Sequence, residues 1–181
     1  MGLKLITPAA TYPVALASAK VWCAIEGSDR DAEVTQMITL ATNVVERFIG
    51  RGLVEQVWRL TLDMFSPAIE LGKGPVVSVD AVQYVDANGN VQAVDHSVWS
   101  LDLVSDPSWI VLNQGNAWPE TLAAVNVVSI TFTVGFDAGP DFDVIKAVIR
   151  AFINQMFDDR GAVSLSPAMI ESLRPYRRLM I

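Results

Sequence analysis

The apolar spacing of this chain changes twice, and each change marks a change in backbone geometry. Val34, Met37, Ile38, Ala41, Val44, Val45, Phe48 and Ile49 recur at three-four spacing, which is one face of a helix. From Leu53 the spacing becomes two. Trp58, Leu60 and Leu62 alternate with Val57, Arg59 and Thr61, as on the two faces of a strand. After Gly139-Pro140 the helical spacing returns in Val144, Ile145, Val148, Ile149, Phe152, Ile153 and Met156. A helix cannot bury its own stripe, so the flanking helices must pack on each other, with the strands inserted between them.

Local signals sharpen this outline. Pro13 suits a first helical turn, with Thr11 or Tyr12 just outside it. A short helix over Val14 to Ala24 would place Val14, Leu16, Ala17, Val21 and Ala24 on its apolar side. Gly27 ends it, and Ser28 or Asp29 can cap the next helix. That helix, 29–49, would be about 30 Å long. It carries Asp31 and Glu33 in its first turn and Arg47 in its last, as the helix dipole prefers, and Gly50 or Gly52 can stop it. Strands are predicted over 57–62, 69–71, 76–85, 91–94, 98–103, 109–112 and 125–134. Asp86-Ala87-Asn88-Gly89-Asn90 is a hairpin turn between two of them, because Asn-Gly accepts positive φ. Asp141 and Asp143 open the third helix, which ends near Asp158-Asp159-Arg160-Gly161.

The predicted fold class is α+β. Two N-terminal helices (1–52) and one C-terminal helix (138–161) form a helical bundle, an antiparallel β lobe (53–137) is inserted, and an extended tail (162–181) follows.

A chain of 181 residues can bury a core without staples. Its 51% hydrophobic content and mean hydropathy of +0.35 exceed what such a core needs, and subunit contacts are the simplest destination for the surplus. No run of 18 apolar residues marks a membrane span. The formal charge of −7 comes without basic clusters, which argues against gripping DNA. One cysteine excludes an internal disulfide. The first six residues are too short and mixed for a signal peptide, and Ile6 breaks the myristoylation pattern.

Few residues invite chemistry. His96 is the sole histidine and has no nucleophile elbow near it, so a surface loop residue is expected. Cys23, beside Trp22, reads as a buried inert thiol. Asp29, Asp31 and Glu33 lack the glycine and terminal glutamate of a calcium loop, and helix capping explains them, as it does Asp137, Asp141 and Asp143. Asp158-Asp159 beside Arg160 reads as a solvated helix end. Gly135 to Pro140 matches no phosphate-binding fingerprint. No metal, cofactor or catalytic set is therefore expected. Trp58, Trp99, Trp109 and Trp118 fall in the β region, where packing is the default and a carbohydrate platform the alternative.

The tail stands apart electrostatically. Arg174, Arg177 and Arg178 face only Glu171 there, a net of +2, against −9 for residues 1–160. In Leu173-Arg174-Pro175-Tyr176-Arg177-Arg178-Leu179, Pro175 blocks a continuous helix. The Arg and Tyr residues are typical interface anchors, with Leu173 and Leu179 adding apolar grip. A disordered terminus and a weak nucleic-acid patch are the competing readings.

A longer series of residues carries a family resemblance. It runs from Ala19-Lys20-Val21-Trp22 and Asp29-Arg30-Asp31 to Val45-Glu46-Arg47-Phe48-Ile49-Gly50-Arg51-Gly52-Leu53. Gln56-Val57-Trp58, Gly74-Pro75-Val76-Val77-Ser78-Val79, Val82-Gln83-Tyr84-Val85-Asp86 and Gly89 follow. Trp118-Pro119, Thr131-Phe132-Thr133-Val134-Gly135-Phe136, Pro140, Arg160-Gly161 and Leu173-Arg174-Pro175-Tyr176-Arg177 complete it. In this order and spacing, residues 14 to 178 resemble the head–tail connector (adaptor) proteins of tailed phages, including prophage and gene-transfer-agent members. Trp22-Cys23-Ala24 departs from the family, whose members often have Leu with a basic residue there.

The resemblance implies a structural, non-enzymatic subunit in the neck of a virion or phage-like particle, present in the host cytoplasm during assembly. Its partners would be the portal protein ring, copies of itself in a closed ring of roughly a dozen, and a tail-side head-completion or stopper protein. DNA would pass through the channel without specific binding, and no membrane is involved. The portal-binding residues would be Leu173, Arg174, Pro175, Tyr176, Arg177 and Arg178. Two readings of other kinds remain: a carbohydrate- or peptidoglycan-binding module using the β-lobe tryptophans, and a hydrolase built on paired carboxylates.

Overall fold

The structure is a computed structural model that describes residues 2–136, 138–159 and 163–178. The chain divides into two compact units. Residues 11–54 and 136–181 make a helical unit; residues 1–10 and 55–135 make a β unit.

The helical unit is built on α1 (Leu16–Trp22), α2 (Asp31–Ile49), α3 (Pro140–Asp158) and α4 (Pro167–Leu173). The stripe read on α2 is the buried one: Val34, Ile38, Ala41, Val45 and Ile49 are almost fully enclosed. They meet Ile145, Val148, Ile149, Phe152, Ile153 and Met156 of α3 in one core. Burying each large aliphatic contributes about 1.5–3 kcal/mol, so the α2–α3 seam dominates the stability of this unit. Gly50 ends α2 at φ +73°, a conformation that costs other residues a Cβ clash. Gly139 precedes α3, and Pro140 opens it with Asp141 and Asp143 in the first turn, as expected.

Three local expectations change. The cap of α2 is Arg30 without a side-chain bond, so neither Ser28 nor Asp29 caps it that way. The first helix starts at Leu16 rather than Val14, and its buried positions are Ala19 and, just past its end, Cys23; Val21 is 79% exposed. Val14 is buried but lies outside the helix, and seven residues make about two turns, too few for apolar spacing to choose between the Ala17–Val21 and the Ala19–Cys23 sides. On α3, Val144 faces out at 40% exposure. The Arg160-Gly161 end expected for α3 lies outside the described residues, as does Asp137.

The β unit holds a five-stranded antiparallel sheet in the order β1-β2-β8-β4-β5. These strands are β1 (Gly2–Thr7), β2 (Gln56–Leu62), β8 (Val128–Val134), β4 (Val76–Val85) and β5 (Val91–Ala93). A three-stranded antiparallel sheet runs β3-β7-β6, from Ala68–Glu70, Trp109–Leu112 and Trp99–Asp102. Central β8 reads Val-Ser-Ile-Thr-Phe-Thr-Val, and its Val128, Ile130, Phe132 and Val134 join Leu60, Val82, Trp99 and Ile110 in one core shared by the two sheets. The Asp86–Asn90 turn forms as read: Asp86 Oδ1 accepts from the N–H groups of Asn88 and Asn90, each at 2.9 Å, and Gly89 takes φ +85°.

The β unit is not purely an insertion. Residues 2–7, placed by the sequence reading in the 1–52 helical segment, pair with β2 from Gly2↔Thr61 to Thr7↔Val57. Every residue of β1 is exposed, so its apolar residues mark no buried face and leave no alternation to read.

The expected extended tail is folded instead. Ser166 caps α4 by accepting from the Met169 N–H at 3.4 Å, Pro167 sits in the first turn, and a 3₁₀ turn over Arg174–Tyr176 follows. Leu173 is fully buried in the helical core, with Leu165 and Met169 packed against it.

Candidate functional site

The segment singled out in the sequence, 173–178, lies across the C-terminal end of α2. The Arg178 N–H donates to the Ile49 carbonyl at 2.8 Å, and Arg51 Nε donates to the Tyr176 carbonyl at 2.8 Å. The first bond satisfies a carbonyl of the last turn of α2, which has no partner within its own helix, and the second ties the tail backbone to the loop after α2. The Arg177 guanidinium sits 5.4 Å from the Phe48 ring centre, within cation–π range. A Cβ on Gly50 would stand 3.6 Å from Arg178 Cβ, so the tail runs close over this turn. The Asp141 carboxylate lies beside the Tyr176 hydroxyl; partial desolvation first, then that carboxylate, raises the tyrosine pKa.

The six tail residues therefore divide by side. Leu173 is fully enclosed, while Tyr176 and Arg178 are half-buried. Arg174, Pro175 and Arg177 face outward. Arg174 bonds Glu171 at 2.9 Å, but both side chains are more than 60% exposed, so solvent screens the pair. Leu179 lies outside the described residues.

The chemistry-bearing residues of the sequence do not assemble. The Ser97 hydroxyl donates to Asp95 Oδ1 at 2.6 Å, and His96 packs its ring 4.2 Å from Trp99 instead of polarising a nucleophile. Cys23 is buried, and burial, followed by nearby Asp158, raises its pKa away from thiolate reactivity. Asp31 pairs with Lys20 at 2.5 Å and Asp143 with Lys146 at 2.6 Å. Asp158 accepts from Asn154 at 2.9 Å. Among the described residues no three His, Cys, Asp or Glu side chains are grouped to hold a metal ion.

Three of the four tryptophans of the β unit, Trp58, Trp99 and Trp118, are occupied by their own chain. Trp99 is buried. Trp118 stacks on Phe65 at 4.5 Å and donates its indole N–H to the Ser66 carbonyl at 2.8 Å. Trp58 donates to Gln56 Oε1 at 2.9 Å, with Lys73 Nζ 5.2 Å from its ring centre. The sugar-stacking platform raised as an alternative would need open ring faces, and these three rings are engaged elsewhere. No helix among the described residues is long and apolar enough to cross a membrane.

Charge is segregated between the units. The β unit carries three basic and nine acidic residues, a net of −6. The helical unit carries ten and eleven, a net of −1. One cleft of about 210 Å³ in the helical unit is cationic. Pro13, Val14, Ala15, Ser18, Lys146 and Arg150 line it, between the start of α1 and the outer side of α3.

The architecture is thus α+β, with helices drawn from both ends of the chain and an antiparallel β unit. It is the fold of a protein from the neck of a gene transfer agent particle. A chain from the neck of an empty particle, computed with C6 symmetry, superposes with a TM-score of 0.79 over 100% of this chain and 97% of its own, at 21% identity. A chain from the native gene transfer agent virion gives 0.79 at 20% identity with the same coverage. One from the neck of the native particle, computed with C12 symmetry, gives 0.73 at 23% identity, again over 100% and 97%. The sequence matches no protein-family model and no curated protein.

Proposed function

We propose that this chain is a structural head–tail connector subunit. It forms a ring on the portal vertex of a tailed phage or phage-like particle, links head to tail, and surrounds the DNA channel. The observation that carries the reading is the end-to-end match of this fold to gene transfer agent neck chains. The neck particles computed with C6 and C12 symmetry support a ring of roughly a dozen copies, closed by heterologous contacts. The −6 charge of the β unit supports passage of DNA without retention, because fixed carboxylates repel phosphates.

The outward side of the tail, Arg174, Pro175 and Arg177, is the portal-docking surface; Leu173, Tyr176 and Arg178 hold that surface in place from beneath. A stopper or head-completion protein occupies the distal face of the ring. The test is to mix the purified chain with particles that carry the portal but lack a neck, then sediment them and image the vertex. A ring of added density on the portal is the expected result. A chain left wholly in the supernatant at saturating concentration rejects the assignment.

A further inference from the structure

We propose that the loop Asp102–Asp106 of one copy seats in the cleft bounded by Pro13, Ser18, Lys146 and Arg150 of a second copy. The proposal rests on the ring reading above and supplies one of its copy-to-copy contacts. Val104 is 98% exposed and Leu103 52%, an apolar tip standing in water. The tip has a defined shape: Asp102 Oδ1 accepts from the N–H groups of Val104 at 2.9 Å and Ser105 at 3.1 Å. A loop ordered in advance loses little entropy on docking. Asp102 stands at its base, so it presents an aliphatic knob beside a carboxylate.

The cleft is the complement. Pro13 and Ala15 border it, Val14 lies buried behind them at 3% exposure, and its volume of about 210 Å³ accommodates a branched aliphatic side chain. Lys146 and Arg150 give it a cationic edge, which Asp143 only partly offsets through its 2.6 Å pair with Lys146. Beside it Arg150 lies 5.6 Å from the ring centre of Trp22, which is 50% exposed, and Val21 is 79% exposed. An exposed Trp under an Arg is the composition of an interface anchor. The knob belongs to the acidic unit and the cleft to the near-neutral one, so charge favours this pairing over like meeting like. Two different surfaces make the contact heterologous, the kind that closes rings.

The test uses full-length chains in a Cys23→Ala background, one carrying Val104→Cys and the other Ser18→Cys, treated with a short bis-maleimide. The mixture should give a covalent dimer that neither variant gives alone, and a chain with both cysteines should give a ladder. Equal dimer from either variant alone, no mixed dimer, or a chain that stays uncrosslinked at every concentration overturns the contact. Independently, Val104→Asp should weaken self-association at least tenfold by sedimentation, while Val91→Asp, at a position 66% exposed on β5, should not. Equal effects of the two substitutions also overturn it. If the contact fails while the unmodified chain still rings the portal vertex, the neck assignment survives; if the ring itself is absent, that assignment falls.

Discussion

Leu173→Ala tests whether the C-terminal segment belongs to the helical core. Leu173 is fully buried, and it packs with residues of α2 and α3 in the helical core. Truncating a buried leucine costs about 2–5 kcal/mol, set by the lost transfer energy and the cavity left behind. With α4 anchored by the Ser166 cap and the Arg178–Ile49 bond, the site cannot collapse freely, and about 3 kcal/mol is expected. The urea slope for a unit of this size is about 1–2 kcal/mol per molar, so the midpoint should fall by about 1.5–3 M. Equilibrium unfolding followed by far-UV ellipticity at 222 nm reads the helices directly. Arg174→Ala, which removes only an exposed pair with Glu171, should shift stability by less than about 0.5 kcal/mol. A Leu173→Ala midpoint equal to that of the unmodified chain would refute the argument and return the segment to a free arm.

Three further predictions follow from the same geometry. Gly50→Ala should destabilise the helical unit by about 1–2 kcal/mol, because φ +73° is strained for a residue with a Cβ; thermal melts check it, and no loss would contradict the left-handed cap. Cys23 should react with an aromatic disulfide reagent orders of magnitude more slowly in the native chain than in urea, and equal rates would show that the thiol is accessible. Backbone and Gln92 hydrogen bonds hold Asp86 below the ordinary carboxylate range. A depressed folded pKa adds stability that is complete above the unfolded value and lost as pH falls through the folded one. The melting difference between the unmodified chain and Asp86→Asn should therefore shrink from pH 7 to pH 3, and a constant difference would contradict the linkage.

The long helices were legible because their stripes span several turns. A register error of one residue cannot hide eleven buried apolar positions on α2 and α3 that repeat at 3.6. The Asp86–Asn90 turn was legible because only a few residue types accept its backbone angles. Two elements were not. β1 has no buried face, and its partner β2 lies some fifty residues away, so neither periodicity nor a local turn announced it. α4 was readable in principle: Ser166-Pro167 is a cap followed by a first-turn proline, and Leu165, Met169 and Leu173 share a face. Yet α4 is two turns long and stands against Pro175 and three arginines, so its few apolar positions are a weak signal beside a helix breaker and a net positive charge. The cationic cleft joins Pro13 to Arg150 across more than a hundred residues, and no local motif encodes such a meeting.

Because one tail residue is core and its neighbours face outward, truncation and charge reversal ask different questions. Deleting 173–181 removes Leu173 and the Arg178–Ile49 bond together, so lost portal binding would report an unfolded helical unit as readily as a lost contact. Arg174→Glu with Arg177→Glu changes only outward side chains; among the described residues it removes from the fold the exposed Glu171 pair and the Arg177–Phe48 cation–π contact, the latter worth about 0.5–1 kcal/mol. At an interface, two such arginines carry on the order of 1–2 kcal/mol each when truncated, and reversing their sign adds repulsion. Portal affinity should therefore fall on the order of 100-fold while the unfolding midpoint moves little. An unchanged affinity in a folded double variant would refute the docking role proposed for Arg174 and Arg177, even if the truncated chain failed to bind.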